Sequence, residues 1–406
     1  MSSVPRRISV FMMDLWATVP YYTAYLSKAL SKEPVDLTVG SISYYLDPTC
    51  FTGRGIKVDP GLLDVVGKYR LPKLPRRILK MIEAKMNLSA LTVRFLFSRP
   101  DLIHVQYLPM LKWRLPLDFW FLEFCRWRGS KIVLTVHDLL PHDTGDAHRQ
   151  TFNRLYGTVD GLICHSDHVK TRLGAEFDVP EGKISVIPHG PFFYDLPSTG
   201  LQQNSQSLVN EPCDALVLWQ GIIFPYKGID LLLSAWKQVE AKTENVCLVI
   251  AGTGAPEVLE QIRGQVKQLD LKRVRLDFRF VSSEELVTLY RAATVVVYPY
   301  RMITTSGALA TGLALGKAII ASDLPVFREL LTDHENALLV NPQNSEELAG
   351  ALITLTQDSA LREQLEERVR QMNFGDQSWS LIASKTMEAY EAVLSGSRAE
   401  TSVPTM

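Results

Sequence analysis

Short apolar runs alternate along the whole chain with longer stretches of helical periodicity. They fall at Ile8–Met12, Val35–Val39, Leu102–Gln106, Lys131–Val136, Gly161–Cys164 and Ile184–Ile187. After a polar interval rich in Ser, Gln and Asn, from Ser198 to Asn210, the rhythm restarts. The new runs are Ala215–Trp219, Val246–Ala251, Val274–Phe280, Thr294–Tyr298, Ala318–Ala321 and Ala337–Val340. Apolar strands of this length separated by helices predict parallel sheets covered on both faces. Two such series predict an α/β chain of two doubly wound, Rossmann-like domains facing a central cleft. The expected boundaries are 1–197 for the first domain, 198–212 for a linker and 213–375 for the second. An amphipathic helix over 376–395 is expected to return to the first domain.

The segment from Ala292 to Leu324 carries the strongest chemical signal. It reads as a buried strand, a polar loop, an apolar helix and a second buried strand. The helix opens on Thr304, Thr305, Ser306 and Gly307, residue types that cap helices and leave backbone N–H groups unpaired. Such an end carries about half a positive charge and binds phosphate. In open parallel sheets, ligands sit beyond the carboxyl ends of the strands, where this loop belongs. A phosphate-bearing ligand is therefore expected. In Trp219–Asp230, again between a strand and a helix, Gly221 allows close approach and Lys227 offers a cation. Lys227 reads either as a solvated side chain or, if it faces the Thr304–Gly307 loop, as a phosphate ligand; the second reading is preferred. Ala251–Gly254 lacks the third glycine of a dinucleotide fingerprint and reads as a tight turn.

In the first half, His137 directly follows a strand, and His142, Asp143, Asp146 and His148 come soon after. No two of them share a dependable i, i+4 spacing, so a hydrogen bond from His137 to a ligand is preferred over a metal site. His165 and His189 also end strands, and each reads equally as structural or ligand-facing.

Composition narrows the setting. The 406 residues are 46% hydrophobic, enough to fill two cores, and the net charge of −1 gives no overall pull towards nucleic acid. Five scattered cysteines fit neither a disulfide framework nor a zinc cluster, and suit a reducing compartment. The N-terminal apolar run breaks at Asp14 and reads as a core strand, not a signal peptide. No run approaches the roughly 18 apolar residues of a spanning helix, so a cytoplasmic protein, soluble or peripheral on the membrane, is expected.

Local charge is another matter. Gly67–Arg99 holds nine Lys or Arg (Lys68, Arg70, Lys73, Arg76, Arg77, Lys80, Lys85, Arg94, Arg99) against one acid, Glu83, interleaved with Leu, Ile, Met and Phe. This is either a solvated helix face or a surface for anionic lipid; the second is favoured, at about 1 kcal/mol per basic residue. Lys112-Trp-Arg114 and Arg126-Trp-Arg128 add tryptophan beside cations. No nucleic-acid motif accompanies them.

The ordered set of motifs resembles the retaining glycosyltransferases of family four, with the GT-B fold. It comprises VHDLLPH (136–142), DGLICHSDHVKTRL (160–173), KISVIPHG (183–190), GIIFPYKGIDLLLSAW (221–236) and VCLVIAGTG (246–254). FVSSEELVTLYRAATVVVYPY (280–300), SGALATGLALGKAIIASDLPVFREL (306–330) and HENALLVNP (334–342) complete it. The resemblance covers nearly the whole chain and is weakest from Asp47 to Ser98, on the acceptor side. It departs from the family where a Glu-x7-Glu pattern falls on Ile303 and Thr311. The chain is instead similar to the branch whose loop runs Tyr-Arg to Ser-Gly, with Arg301 as the available cation.

The resemblance implies transfer of a sugar from a nucleotide diphosphate sugar to a glycan or lipid-linked acceptor, with retention. It implies no metal and no cofactor besides the donor substrate. His137, Lys227 and Arg301 form the expected catalytic set. Gly221, Val281, Thr304, Thr305, Ser306, Gly307 and Thr311 form the expected donor-binding set, with the base near Val281. A non-catalytic binding or scaffold protein of the same fold is the alternative, followed by an epimerase or phosphorylase.

Overall fold

The computed structural model describes residues 7–69, 71–108, 110–111, 115–141, 145–196, 213–374 and 376–396. It divides into two compact units, Met1–Pro188 with Trp379–Met406, and His189–Ser378. Arg70, Lys112, Trp113, Arg114, His142, Asp143 and the Ser198–Asn210 interval lie outside the described residues.

The first unit alternates strand and helix: β1 (Ile8–Asp14), α1 (Pro20–Leu30), β2 (Val35–Ser41), α2 (Lys73–Phe97), β3 (Leu102–Val105) and α3 (Leu117–Trp127). It continues through β4 (Lys131–Thr135), α4 (Arg149–Thr158), β5 (Gly161–Cys164), α5 (Asp167–Phe177) and β6 (Ile184–Val186). All its strand pairings are parallel, in the order β2-β1-β3-β4-β5-β6. Both faces are covered, which is why β3, β4 and β5 are apolar runs and not alternating ones. Leu88, Leu91 and Phe95 of α2 and Phe121, Leu122 and Cys125 of α3 fill one core with Ile103, Val105, Ile132 and Leu134. Each large side chain so buried contributes about 1.5–3 kcal/mol.

The second unit runs β7 (Ala215–Gln220), α6 (Ile229–Lys242), β8 (Val246–Ala251), α7 (Pro256–Gln268), β9 (Val274–Asp277), α8 (Ser283–Ala292) and β10 (Val295–Tyr298). Then come α9 (Gly307–Ala314), β11 (Ala318–Ser322), α10 (Pro325–Arg328), β12 (Leu338–Val340), α11 (Ser345–Gln357) and α12 (Ser359–Gln371). Its sheet is again all parallel, in the order β12-β11-β10-β7-β8-β9. The last helix, α13 (Asp376–Ser395), joins the first unit from Trp379 onwards. Trp379 stacks on Tyr25 of α1 at 5.5 Å there.

Two sequence expectations shift. The break between units comes at Pro188, ahead of the expected 197, because His189–Leu196 is tied into the second unit: the Phe192 N–H donates to Thr311 Oγ1 (3.1 Å), and Arg291 Nη2 donates to the Leu196 carbonyl (3.1 Å). β9 stops at Asp277, short of Phe280. Arg279 turns back onto Asp277 and reaches forward to Glu285, which closes the capping box of α8 with Ser282.

The basic stretch is less solvated than its composition suggests. Lys80 is half-buried, its ammonium donating to the Trp16 carbonyl (2.9 Å), and burial lowers its pKa. Arg94 pairs with Asp59 at 2.6 Å, and Arg76 lies over the Tyr45 ring at 4.0 Å. Glu83 is buried and accepts from the Val65 N–H at 2.6 Å. Besides Arg77 and Lys85, α2 exposes many apolar side chains: Leu74, Ile78, Leu79, Ile82, Met86, Val93, Leu96 and Phe97, the last 86% exposed. Trp120 and Trp127 of α3 are exposed too. Among the described residues no helix is long and apolar enough to cross a membrane.

Candidate functional site

In the second sheet β7 and β10 are neighbours, yet the chain leaves them in opposite directions, to β8 and β9 on one side and to β11 and β12 on the other. The loops beyond their carboxyl ends therefore part, which is where an open parallel sheet binds ligands. One loop holds Gly221–Gly228, the other Pro299–Ser306. They are knitted together by the Arg301 N–H donating to the Tyr226 carbonyl (2.7 Å).

Lys227 follows from this knit. The short Pro225–Lys227 helical turn aims its side chain back, setting the ammonium 5.4 Å from the Tyr300 ring centroid and 5.9 Å from that of Trp219. Both rings are fully buried, so the cation sits against low-polarity walls where an anion feels it strongly. Gly221 makes room: its φ is +150°, and a Cβ there would stand 3.0 Å from the Lys227 ammonium.

The polar loop ahead of α9 is formed, with the helix opening slightly later than expected. Ser306 is the N-cap of α9, its Oγ accepting from the Leu309 N–H (3.1 Å), so Thr304 and Thr305 belong to the approach. Thr304 is buried, whereas Thr305, Ser306 and Gly307 are half-buried. Gly307 has to be glycine for packing, since a Cβ would come within 2.7 Å of the Phe192 ring and 3.0 Å of the His189 ring. The His189 ring in turn lies edge-on to Phe192 at 5.2 Å.

Two members of the expected set are committed elsewhere. Arg301, expected as the available cation, is engaged in an ion pair: its guanidinium grips Asp230 in the first turn of α6 through two bonds, at 2.8 and 2.6 Å. Buttressing the neighbouring loop is what this fork geometry does. Thr311 is buried, accepts from the Phe192 N–H and donates to the Gly307 carbonyl (2.8 Å), so its hydroxyl braces the loop. Val281, half-buried, precedes the Ser282 cap of α8.

The first sheet has its own switch, between β1 and β3. Asp14, at the end of β1, is buried and accepts from the N–H groups of Thr18 (2.9 Å) and Val19 (3.1 Å), shaping the entry to α1. His137 lies two residues beyond β4, half-buried, with its Nε2 3.0 Å from Gln106 Oε1. The Tyr22 ring of α1 stands edge-on to it at 4.9 Å, and His165 lies 5.4 Å away. His165 donates from Nδ1 to the Ile187 carbonyl (2.9 Å), and burial brings its pKa down to about 4, so it is a neutral structural group. Asp146 is exposed and pairs with Arg149. Among the described residues no three His, Cys, Asp or Glu converge as metal ligands.

Sequence reasoning missed Gln106, His104, Tyr22 and Tyr390 around His137. The one available signal was His104 inside the otherwise apolar strand Leu102–Val105.

Two parallel doubly wound sheets, the second parting its loops at the β7/β10 switch, make an architecture of the GT-B type. Two family models match in tandem: Glycosyltransferase Family 4 over residues 19–190 and Glycosyl transferases group 1 over residues 202–372. The chain belongs to the family-four glycosyltransferases with the GT-B fold. It is 34% identical over 182 residues to a phosphatidyl-myo-inositol mannosyltransferase of Mycobacterium leprae, covering 43% of this chain and 46% of that one. It is 28% identical over 218 residues to the lipopolysaccharide 1,2-N-acetylglucosaminetransferase of Salmonella typhimurium, covering 52% and 57%. The match thus spans about half the length of these curated relatives. The crystal structure of Anabaena HepE in complex with UDP and glucose superposes with a TM-score of 0.71 at 17% identity, over 95% of this chain and 100% of that one.

Proposed function

We propose that the protein moves a sugar from a nucleoside diphosphate sugar to a lipid-linked glycan or glycolipid acceptor, with retention of configuration and without a metal. The observation that carries this reading is the juxtaposition at the β7/β10 switch of Lys227, backed by two buried rings, and the Ser306-capped start of α9. Solved neighbours contain UDP and UDP-glucose, and relatives are named for lipid or lipopolysaccharide acceptors.

The chemical difficulty is charge building on the leaving diphosphate. As the bond from the anomeric carbon to the phosphate oxygen breaks, its electron pair stays with the diphosphate. The acceptor oxygen bonds to the same face of that carbon and gives its proton to the leaving phosphate. N–H groups at the start of α9 and the Lys227 ammonium stabilise the developing charge without reorganising. With no glutamate at 303 or 311, neither residue supplies a covalent nucleophile, which suits same-face attack. Gly221 keeps the loop after β7 close to the diphosphate. Val281 carries the base by backbone contact, and His137 in the first unit orients the transferred sugar.

The acceptor side of the proposal rests on α2 and α3. Their exposed Ile, Leu, Met, Phe and Trp side chains, with the exposed cations Arg77, Lys85 and Arg99, suit the headgroup boundary of an anionic bilayer on its cytoplasmic face. Because Arg301 and Thr311 are engaged within the fold, a binding protein without turnover is the second reading. Thermal shift with nucleoside diphosphates tests the site, since ligand binding raises the midpoint by mass action. Donor-dependent release of nucleotide with a lipid-linked acceptor then separates transferase from binder. No shift with any nucleoside diphosphate would remove both readings.

A further inference from the structure

His137 is held from behind by a chain of polar side chains that otherwise have no reason to occupy an apolar sheet. Gln106 is buried immediately beyond β3, and its amide oxygen meets His137 Nε2 at 3.0 Å. The Gln106 amide nitrogen points the other way, to the Met12 sulfur at 3.1 Å and to His104 Nε2 at 3.0 Å. A thioether has no proton to give, so the nitrogen and not the oxygen of the amide must face it. On fully buried His104 of β3, Nε2 also lies 2.7 Å from the Thr135 hydroxyl, and Nδ1 lies 2.6 Å from the hydroxyl of Tyr390 on α13. Burial holds His104 down to about pKa 3, with His165 as the second cause, so it carries a single ring proton.

The Met12 contact selects one arrangement of the chain. With the Gln106 amide nitrogen donating to His104 Nε2, the His104 proton sits on Nδ1 and is donated to Tyr390. The Gln106 oxygen, left facing His137, accepts a proton that His137 must carry on Nε2. We propose that Tyr390, His104 and Gln106 are positioning residues that fix the ring plane of His137 and hold it as the Nε2–H tautomer. The last helix of the chain is thereby coupled to the ring through side chains alone. That His137 meets the sugar rests on the function proposed above; the tautomer assignment does not.

Other titratable groups around the ring are Tyr22 from α1, His165 beyond β5 and the adjacent Asp138. The burial of Tyr22 raises its phenol far above neutrality, so it brings no charge.

Imidazole nitrogen NMR on the full chain, without substrate, tests the assignment. The expected result is an Nε2–H ring for His137 and an Nδ1–H ring for His104 at pH 7. The opposite tautomer at His137 would overturn the proposal whatever the enzyme turns over. Kinetics supply the second arm. Gln106→Ala should lower kcat/KM for donor by about 10², the usual effect of a small misplacement of a reacting group. Binding of nucleoside diphosphate, measured by calorimetry, should stay unchanged. Gln106→Glu keeps an acceptor for Nε2–H but adds a charge, so it should move the acid limb of the pH profile upwards. The near-isosteric Tyr390→Phe should leave the fold intact and redistribute the His104 tautomers. An unmoved pH profile in Gln106→Glu together with wild-type tautomers in Tyr390→Phe would reduce the network to packing. Absence of transfer with every donor, alongside the expected tautomers, would fail the proposed function and leave this one standing.

Discussion

Arg301 and Asp230, 71 residues apart in sequence, meet in a two-point ion pair at 2.8 and 2.6 Å that spans the loops beyond β10 and β7. Both partners are substantially exposed, so the pair is a modest stabiliser, about 0–1 kcal/mol. A double-mutant cycle of Arg301→Ala and Asp230→Ala should return a coupling within that range. Arg301→Ala should weaken nucleoside diphosphate binding only mildly. A hundredfold loss would mean that Arg301 swings onto the ligand.

Lys227 should behave differently. Lys227→Ala removes a charged hydrogen bond, worth about 1.5–3 kcal/mol, so diphosphate affinity should fall between tenfold and two hundredfold in calorimetry. Lys227→Arg should not restore it, because the planar guanidinium does not fit the slot between Trp219, Tyr300 and Gly221. Unchanged affinity in Lys227→Ala would take the lysine out of the site.

Thr311→Val keeps the shape of the side chain but leaves the Phe192 N–H without its acceptor. A loss of about 1–3 kcal/mol in denaturant unfolding is expected. Thr311→Glu, which would recreate the carboxylate common in the family, should destabilise the second unit more, since that position is buried. A Glu variant as stable as wild type would show room for a ligand contact there.

Glu285 gives a pH signature. The Arg279 side chain, ahead of other causes, holds its carboxyl down to about 2 from the usual 4.5. A depressed carboxylate contributes stability that is present above the unfolded pKa and lost as pH falls through the folded one. Glu285→Gln should therefore melt below wild type above pH 4.5, and the two midpoints should converge as pH falls towards 2. Parallel curves across that window would mean the Arg279–Glu285 pair is not formed in solution.

Vesicle sedimentation tests α2 and α3. Replacing Arg77, Lys85 and Arg99 with Gln should weaken binding to anionic vesicles by about 1 kcal/mol per residue and flatten its salt dependence. Phe97→Ser with Trp127→Ser should remove the part of the binding that survives high salt. Equal sedimentation with neutral and anionic vesicles would return α2 to an ordinary solvent-facing helix.

Most of the sheet framework was legible because parallel strands buried on both faces announce themselves. Gly161–Cys164 and Val246–Ala251 stand where their apolar runs end. The Thr304–Gly307 loop was legible for the same local reason, a cap followed by small residues. What could not be read depends on partners distant in sequence. Arg301 looks like a spare cation until Asp230 is brought beside it, and Lys80 looks like a surface cation until the Trp16 carbonyl accepts its hydrogen bond. Gln106 looked like the last residue of a strand, and its role needs His104, Met12 and His137 together.

The return of α13 has a consequence for how the molecule is made. On the ribosome, the first unit emerges with His104 in place but with Tyr390 still 286 residues away. The second unit, contiguous from 189 to 378, can close completely in the meantime. Until synthesis passes Tyr390, the first sheet holds an incomplete polar cluster and an uncovered flank where Trp379 will stack on Tyr25. The nascent chain thus carries that imidazole for most of translation without the hydroxyl that meets its Nδ1.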